Sequence, residues 1–236
     1  MILSILFSPL YLIFDSLRKE VKERDFSLHM PIDIDMRLLG LEKDCFSNWW
    51  AKLPEGSTMV VQPKIDGCAI GLRYKYGQLV GAFTRENSEI IENIRSVKTI
   101  PISIDDSLKV EVELEGILYA SNFNTKFSNQ QLTSNSWQPQ NTNTSLSFLA
   151  FQIFCSKSDE LSDLTQLQNW GFDVPITLRT DDPIQVKRWH SQWINKKLFS
   201  DLPTNGIVAK RNSSSTKSFL GFSSSSPNWA LALTDN

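Results

Sequence analysis

The sequence predicts an α+β domain built on antiparallel β-sheets with flanking helices to one side. From residue 58, short runs rich in β-branched and aliphatic residues alternate with Asp-Gly and Tyr-Gly pairs, which is typical of strands joined by tight turns. Residues 108–119 alternate acidic with aliphatic side chains, as a half-buried strand does. By contrast, apolar residues recur at helical spacing in residues 159–170 and 183–197.

The first half of the chain contains two predicted helices and a run of strands. Apolar residues at helical spacing predict helices over residues 9–24 and 42–52. The next elements are strands, expected at 59–61, 69–74 and 79–83. Because Asp66-Gly67 and Tyr76-Gly77 separate these strands, we expect a meander of β-hairpins.

The second half of the chain alternates strands with helices. Residues 121–147 are polar and without periodicity, which predicts a long loop, and the serine-rich residues 212–226 also lack a pattern. Gly171 is the expected C-terminal cap of its helix. The remaining predicted elements are strands at 148–154, 206–210 and 228–233, and helices at 159–170 and 183–197.

Composition indicates one soluble domain, or one domain with a small appendage. The 236 residues are 41% hydrophobic with a net charge of −2, so no global charge attracts nucleic acid or an anionic membrane. Cys45, Cys68 and Cys155 form no CxxC pair, which disfavours a disulfide framework or structural zinc site and fits a reducing cytoplasm. Residues 2–14 are apolar but shorter than the ~20 residues that span a bilayer, so no membrane association is expected.

The most informative motif is Lys64-Ile-Asp-Gly67, at the end of an apolar strand-like run. It places one amine on a rigid element, beside a carboxylate and a glycine that allows another group to approach the backbone closely. An enzyme that attacks phosphorus with a lysine needs this arrangement. The short pattern is weak by itself, and a surface lysine beside a turn is the alternative, so the interpretation depends on the motifs further along the chain.

Further motifs occur after Lys64-Ile-Asp-Gly67 in a fixed order. They are Thr84-Arg85, Glu115, the aromatic strand Phe148 to Phe154, Leu202-Pro203-x-x-Gly206-Ile-Val-Ala-Lys210 and Pro227-Asn-Trp-Ala-Leu-Ala232. Together with Trp170-Gly171-Phe172 and Leu220-Gly221-Phe222, this series resembles the adenylation domain of NAD-dependent DNA ligases. The resemblance covers residues 30 to 234.

This resemblance implies a covalent nucleotidyltransferase (ATP-grasp-like) fold and a domain organisation. Residues 29–236 would form the adenylation domain. Residues 1–28 would be a helical stub, the remnant of the subdomain that binds nicotinamide mononucleotide. The sequence shows no OB-fold, zinc finger, helix-hairpin-helix region or BRCT domain. The implied location is the cytoplasm, with association to the nucleoid if the enzyme is active.

The resemblance also implies roles for individual residues. Lys64 would attack the α-phosphorus of NAD to form lysine–AMP, Asp66 would hold the ribose, and Lys210 would bind phosphate and act as a second cation that lowers the pKa of Lys64. Nucleotide-binding roles would fall to Gln62, Ile65, Gly67, Arg85, Glu115 and Phe151, with Phe151 stacked on adenine. Glu115 would hold ribose or Mg²⁺, which would neutralise charge on the transferred phosphoryl group.

Several positions depart from the family pattern, among them Gln62, Asn205 and Thr234. Gln62 replaces an acid, although its amide can still accept from the adenine amino group. Asn205 replaces the aspartate of an Asp-Gly pair, and Thr234 replaces the lysine of the last motif. Removing a cation from a phosphoryl-transfer site weakens transition-state stabilisation.

Two functions therefore stay open. The first is an NAD-dependent DNA ligase-like nucleotidyltransferase that is weak as an isolated domain, with self-adenylation favoured over sealing of nicked duplex DNA. A separate protein would then supply the DNA-binding domains. The second is a catalytically degenerate module that binds a nucleotide or a protein. A lysine nucleotidyltransferase of the RNA ligase or capping class is a weaker third, because Trp-Gly-Phe and Leu-Gly-Phe disfavour it.

Several site residues have a structural alternative. Glu115 could be a solvated strand residue on one face with Glu111 and Glu113. Phe151 could be plain core, and Lys210 could belong to a solvated basic patch beside Arg211. Residues Trp49, Trp50, Trp189 and Trp193 are predicted to be core, on amphipathic helices that pack against a sheet.

Overall fold

A computed structural model describes residues 43–54, 56–84, 88–104, 111–121, 146–154, 156–221 and 227–235. These residues all belong to one compact unit, Ile32–Asn236. Several predictions lie outside the described residues: the helix over 9–24, the N-terminal stub over 1–28, Arg85, and most of the loop over 121–147.

The described residues form two four-stranded antiparallel sheets, which confirms the predicted fold class. The strands are β1 (Met59–Ile65), β2 (Cys68–Lys75), β3 (Gln78–Thr84), β4 (Glu111–Ala120), β5 (Leu146–Ile153), β6 (Leu178–Thr180), β7 (Thr204–Arg211) and β8 (Ala230–Leu233). The helices are α1 (Lys43–Ala51), α2 (Ile91–Ile94), α3 (Glu160–Asn169), α4 (Pro183–Ile194) and α5 (Ser214–Leu220). The first sheet has the order β6-β1-β7-β8, and the second has the order β3-β2-β4-β5.

The predicted hairpin at Asp66-Gly67 is wrong. Strand β1 pairs with β6 and β7, whereas β2 pairs with β3 and β4, so the chain crosses between sheets here. A Cβ on Gly67 would lie 2.5 Å from the carbonyl oxygen of Leu118, and only glycine allows this close approach. The hairpin at Tyr76-Gly77 is confirmed, because both residues have the positive φ of a type I′ turn (50° and 74°).

Three short elements were not predicted: β6, α2 and α5. Each is too short to show a periodic pattern. Helix α5 begins within the serine-rich segment because the side chain of Ser213 caps it, accepting a hydrogen bond from the backbone N–H of Thr216. Helix α4 ends at Ile194, earlier than predicted, and Lys196 then adopts a positive φ of 55°.

Each sheet buries one apolar face. In the first sheet, Met59, Val61, Ile207 and Ala209 form a core with residues of α1 and α4. The predicted core tryptophans Trp49, Trp50, Trp189 and Trp193 pack against this core. In the second sheet, side chains of β2, β4 and β5 pack with α2 and α3. Because successive side chains of a strand point to opposite faces, the second face of each sheet is formed by the residues that alternate with these core residues.

Gly116 allows β4 and β5 to pack closely. A Cβ at this position would lie 2.1 Å from the ring of Phe148 and 2.5 Å from the carbonyl oxygen of Leu149. We expect Gly116→Ala to lower the free energy of unfolding by about 1–3 kcal/mol, measured by urea denaturation. Val80→Ala, at a residue of the same sheet that is 45% exposed, is the control and should change it by about 0.5 kcal/mol. Equal urea midpoints for the two variants would contradict the prediction.

Candidate active site

Three predicted site residues lie on one face of the first sheet. Gln62 and Lys64 alternate along β1 with Met59 and Val61, which belong to the core packed by α1 and α4, so both point away from that core. On β7, Lys210 pairs with Val60, which belongs to the same face as Gln62. The sheet therefore brings Gln62, Lys64 and Lys210 to one surface.

Lys64 is half-buried, and its amine is held by a neutral partner. The Nζ atom donates a hydrogen bond to Oδ1 of Asn205 at 2.6 Å. Burial lowers the pKa of Lys64 from its ordinary value of 10.5, and the negative charge of Asp66 opposes this effect. A lowered pKa is what a nucleophilic lysine requires. Asn205 is a departure from the family pattern, and no local pattern indicates that it is the partner of Lys64.

The residues around Lys64 occupy distinct environments. Ile65 is buried, whereas the side chain of Asp66 is exposed and its backbone N–H donates to the carbonyl of Pro203 at 2.7 Å. Gln62 is 2% exposed, and its Nε2 donates to Oγ1 of Thr177 at 3.0 Å. Gln62 is thus held in place by a contact that no motif indicated.

Lys210 lies in a buried ion cluster and is not part of a solvated patch. It is 2% exposed, and its Nζ donates to Oε1 of Glu160 at 2.8 Å. Glu160 accepts a second bond from Lys217 through Oε2. The Lys210 amine also lies 4.9 Å from the ring centroid of Phe151, which brings one more predicted site residue to Lys210. Sequence reasoning missed Glu160, because an acid in the first turn of a helix is ordinary. It also missed Lys217.

The lysines set the charge state of Glu160. Burial would raise the pKa of this carboxyl, but Lys210 and Lys217 outweigh burial and hold the pKa below its usual range. The carboxylate therefore neutralises one of the two cations. Burial, and not Lys210, is the main cause of the lowered pKa of Lys64.

Glu115 is 1% exposed, so it is not a solvated strand residue. Its neighbours across β4 are Gly71 and Gln152. Glu115 shares a face of β4 with Ile117, the residue against which the Gly67 crossover packs. Glu113 instead forms an ion pair with Arg73 at 2.6 Å.

A single carboxylate fits a magnesium ion that is carried by substrate phosphates. Mg²⁺ usually binds through one or two carboxylates together with phosphate oxygens and water. Glu115 supplies one such buried carboxylate. Among the described residues, no group of three or more His, Cys, Asp or Glu side chains is placed to hold a metal ion.

Thr234 stands beside the partner of Lys64. Its Cγ2 lies 3.1 Å from the position of a Cβ on Gly206, the residue that comes directly after Asn205. The carbonyl of Thr234 lies 3.2 Å from Nε2 of His190. The side chain at this position carries no charge.

Within the described ranges, none of the helices is long and apolar enough to cross a membrane.

Comparison with known proteins places this chain in a family. The family described as NAD-dependent DNA ligase adenylation domain matches residues 42–144. The chain is 32% identical to the DNA ligase of Mycoplasma mycoides subsp. mycoides over 73% of its length, and 30% identical to that of Phytoplasma australiense over 81%. It covers 30% and 32% of these relatives, so it spans about a third of the length of the curated relatives it matches.

Solved structures show the same fold at low identity. A Lig E DNA ligase matches with a TM-score of 0.53 and 14% identity, over 78% of this chain and 64% of that one. An archaeal ATP-dependent RNA ligase matches with a TM-score of 0.51 and 12% identity, over 80% of this chain and 45% of that one. These likenesses support a covalent nucleotidyltransferase fold. The family match and the sequence relatives show that this chain belongs to the adenylation-domain family of NAD-dependent DNA ligases.

Proposed function

We propose that this chain transfers AMP from NAD to Lys64, the first half-reaction of an NAD-dependent DNA ligase. The observation that carries the proposal is the state of Lys64. Its amine is half-buried, has a lowered pKa and donates to the neutral Asn205 at 2.6 Å. The lowered pKa increases the fraction of neutral amine, which is the form that can act as a nucleophile.

The proposed step forms one bond and breaks one. The lone pair of Lys64 Nζ attacks the α-phosphorus of NAD and forms an N–P bond. The P–O bond to nicotinamide mononucleotide breaks, and its electron pair leaves with that nucleotide. The amine loses a proton to solvent, which leaves a lysine–AMP phosphoramidate. Mg²⁺, held by substrate phosphates with Glu115, would neutralise charge on the phosphoryl group.

The other site residues are proposed to bind the nucleotide. Asp66 would hold the ribose, Lys210 would bind phosphate, and Phe151 would stack on adenine. Arg85 would contact sugar or phosphate. Transfer of AMP to a 5′-phosphate in nicked duplex DNA would complete the reaction, and further domains, from this or a separate protein, would grip the DNA.

Intact-mass spectrometry tests this proposal. We expect incubation with NAD and Mg²⁺ to add one AMP to the wild-type protein, and Lys64→Ala to abolish the adduct. Lys98→Ala, which removes an exposed lysine, is the matched control and should label like wild type. A parallel incubation with ATP identifies the preferred donor. An adduct that persists in Lys64→Ala would contradict the assignment.

Thr234 favours a second candidate, a module that binds nucleotide or protein without transferring AMP. The last motif supplies no cation at this position, which weakens stabilisation of the transferred phosphoryl group. A folded wild-type protein that gains no AMP from either donor would support this candidate and overturn the first.

A further inference from the structure

We propose that Thr177 makes this site select 6-amino purines, by fixing which end of the Gln62 amide faces the nucleotide. This inference rests on the proposed function, since it assigns the base that the adenylation site accepts. An amide carries a donor on one branch and an acceptor on the other. The side-chain amide of Gln62 can therefore pair with the 6-amino group of adenine or the 6-oxo group of hypoxanthine, depending on which branch faces the base.

A chain of two hydrogen bonds decides that orientation. Oγ1 of Thr177 donates its single proton to the carbonyl of Pro175 at 2.9 Å. With that proton used, the same oxygen can only accept from Gln62, and the distance from Nε2 is 3.0 Å. The donor end of the amide must face Thr177. If the amide were flipped, its oxygen would need to accept the Thr177 proton. The carbonyl of the buried residue Pro175 would then lose its hydrogen bond from Thr177.

The acceptor end, Oε1, is therefore directed away from Thr177. Gln62 lies on the same face of β1 as Lys64, two residues earlier, which is about 7 Å along the strand. A purine bound beside Lys64 would present its C6 substituent to this acceptor. The 6-amino group of adenine would donate a hydrogen bond to Oε1. The 6-oxo group of hypoxanthine or guanine would place a second acceptor oxygen against Oε1, and no hydrogen bond would form.

Thr177 is thus a positioning residue that acts through Gln62. A carboxylate at position 62 would accept from both oxygens and would need no such partner. The amide is held rigidly, since Gln62 is 2% exposed and lies within a strand. Selectivity should therefore depend on the Thr177 hydroxyl for as long as glutamine occupies position 62.

Calorimetric titration of the full chain with AMP and with IMP tests the proposal, because these nucleotides differ at the C6 edge. We expect wild type to bind AMP about tenfold more tightly than IMP. Thr177→Val keeps the side-chain shape but removes the hydroxyl, and the AMP-to-IMP ratio should fall towards one. Thr177→Ser keeps the hydroxyl and should retain the wild-type ratio.

A double variant separates selectivity from a structural effect. Gln62→Glu combined with Thr177→Val should recover the preference for AMP, because a carboxylate is an acceptor in either orientation. Urea denaturation of each variant confirms the fold. An unchanged ratio in Thr177→Val, or a low ratio in the double variant, would overturn the role of Thr177 and leave the proposed adenylation intact. Wild-type protein that binds neither nucleotide, nor NAD, would overturn both.

Discussion

Replacing Glu160 by glutamine is expected to lower the free energy of unfolding by about 3–5 kcal/mol. The substitution removes the carboxylate that neutralises Lys210, whose side chain is 2% exposed, and it also releases Lys217. A buried charge without a partner is among the most destabilising changes in a protein. Lys210→Met should cost less, because the carboxylate keeps Lys217.

Urea denaturation of the variants measures this ordering. Glu160→Gln combined with Lys210→Met should be more stable than the sum of the single effects predicts, because the unpaired ammonium is gone. Glu92→Gln is the matched control. Its partner Arg95 lies 3.2 Å away in an exposed pair, so the change should be within about 0.5 kcal/mol. Similar losses of unfolding free energy for Glu160→Gln and Glu92→Gln would contradict the expected stabilisation by the buried ion pairs of Glu160.

The cluster also predicts a direction of pH dependence. The pKa of Glu160 in the folded state lies below its ordinary value of 4.5. The stabilisation is therefore fully present above pH 4.5 and is lost as pH falls through the lower folded pKa. Glu160→Gln should show less of this acid-dependent loss than wild type.

Asn205→Asp is expected to reduce the reactivity of Lys64 at neutral pH by about tenfold or more. A carboxylate 2.6 Å from the amine would stabilise the ammonium form and raise the pKa of Lys64, whereas the neutral amide does not. Reactivity depends on the neutral amine, so it should rise with pH and approach the wild-type value at high pH. Asn205→Ala, which adds no charge, is the control.

The measurement is the pH dependence of acetic anhydride labelling at Lys64, monitored by peptide mass. It reports the neutral amine whether or not AMP transfer occurs. Thr234 adjoins Gly206, so adding Thr234→Lys to Asn205→Asp places a cation beside the new carboxylate. In the double variant, the pH at which labelling of Lys64 is half-maximal should return towards the wild-type value. Identical midpoints for Asn205→Asp and Asn205→Ala would contradict the electrostatic account.

Local pattern predicted most of the secondary structure and part of the site. Gln62 and Lys64 lie on one face of β1, because side chains two residues apart in a strand point the same way. The Tyr76-Gly77 turn was predictable because two consecutive positive φ angles require particular residues. Arg85 stays a prediction, since it lies outside the described residues.

The contacts that tune the site come from distant parts of the chain. Lys64 and Asn205 are 141 residues apart, Gln62 and Thr177 are 115 apart, and Lys210 and Glu160 are 50 apart. No local periodicity encodes such pairs. Residue order alone predicts the chemistry available, a lysine on a strand before Asp-Gly. The neighbours of Lys64 and the lowering of its pKa depend on the folded chain, because burial and charge follow from which strands pair and which side chains pack above them.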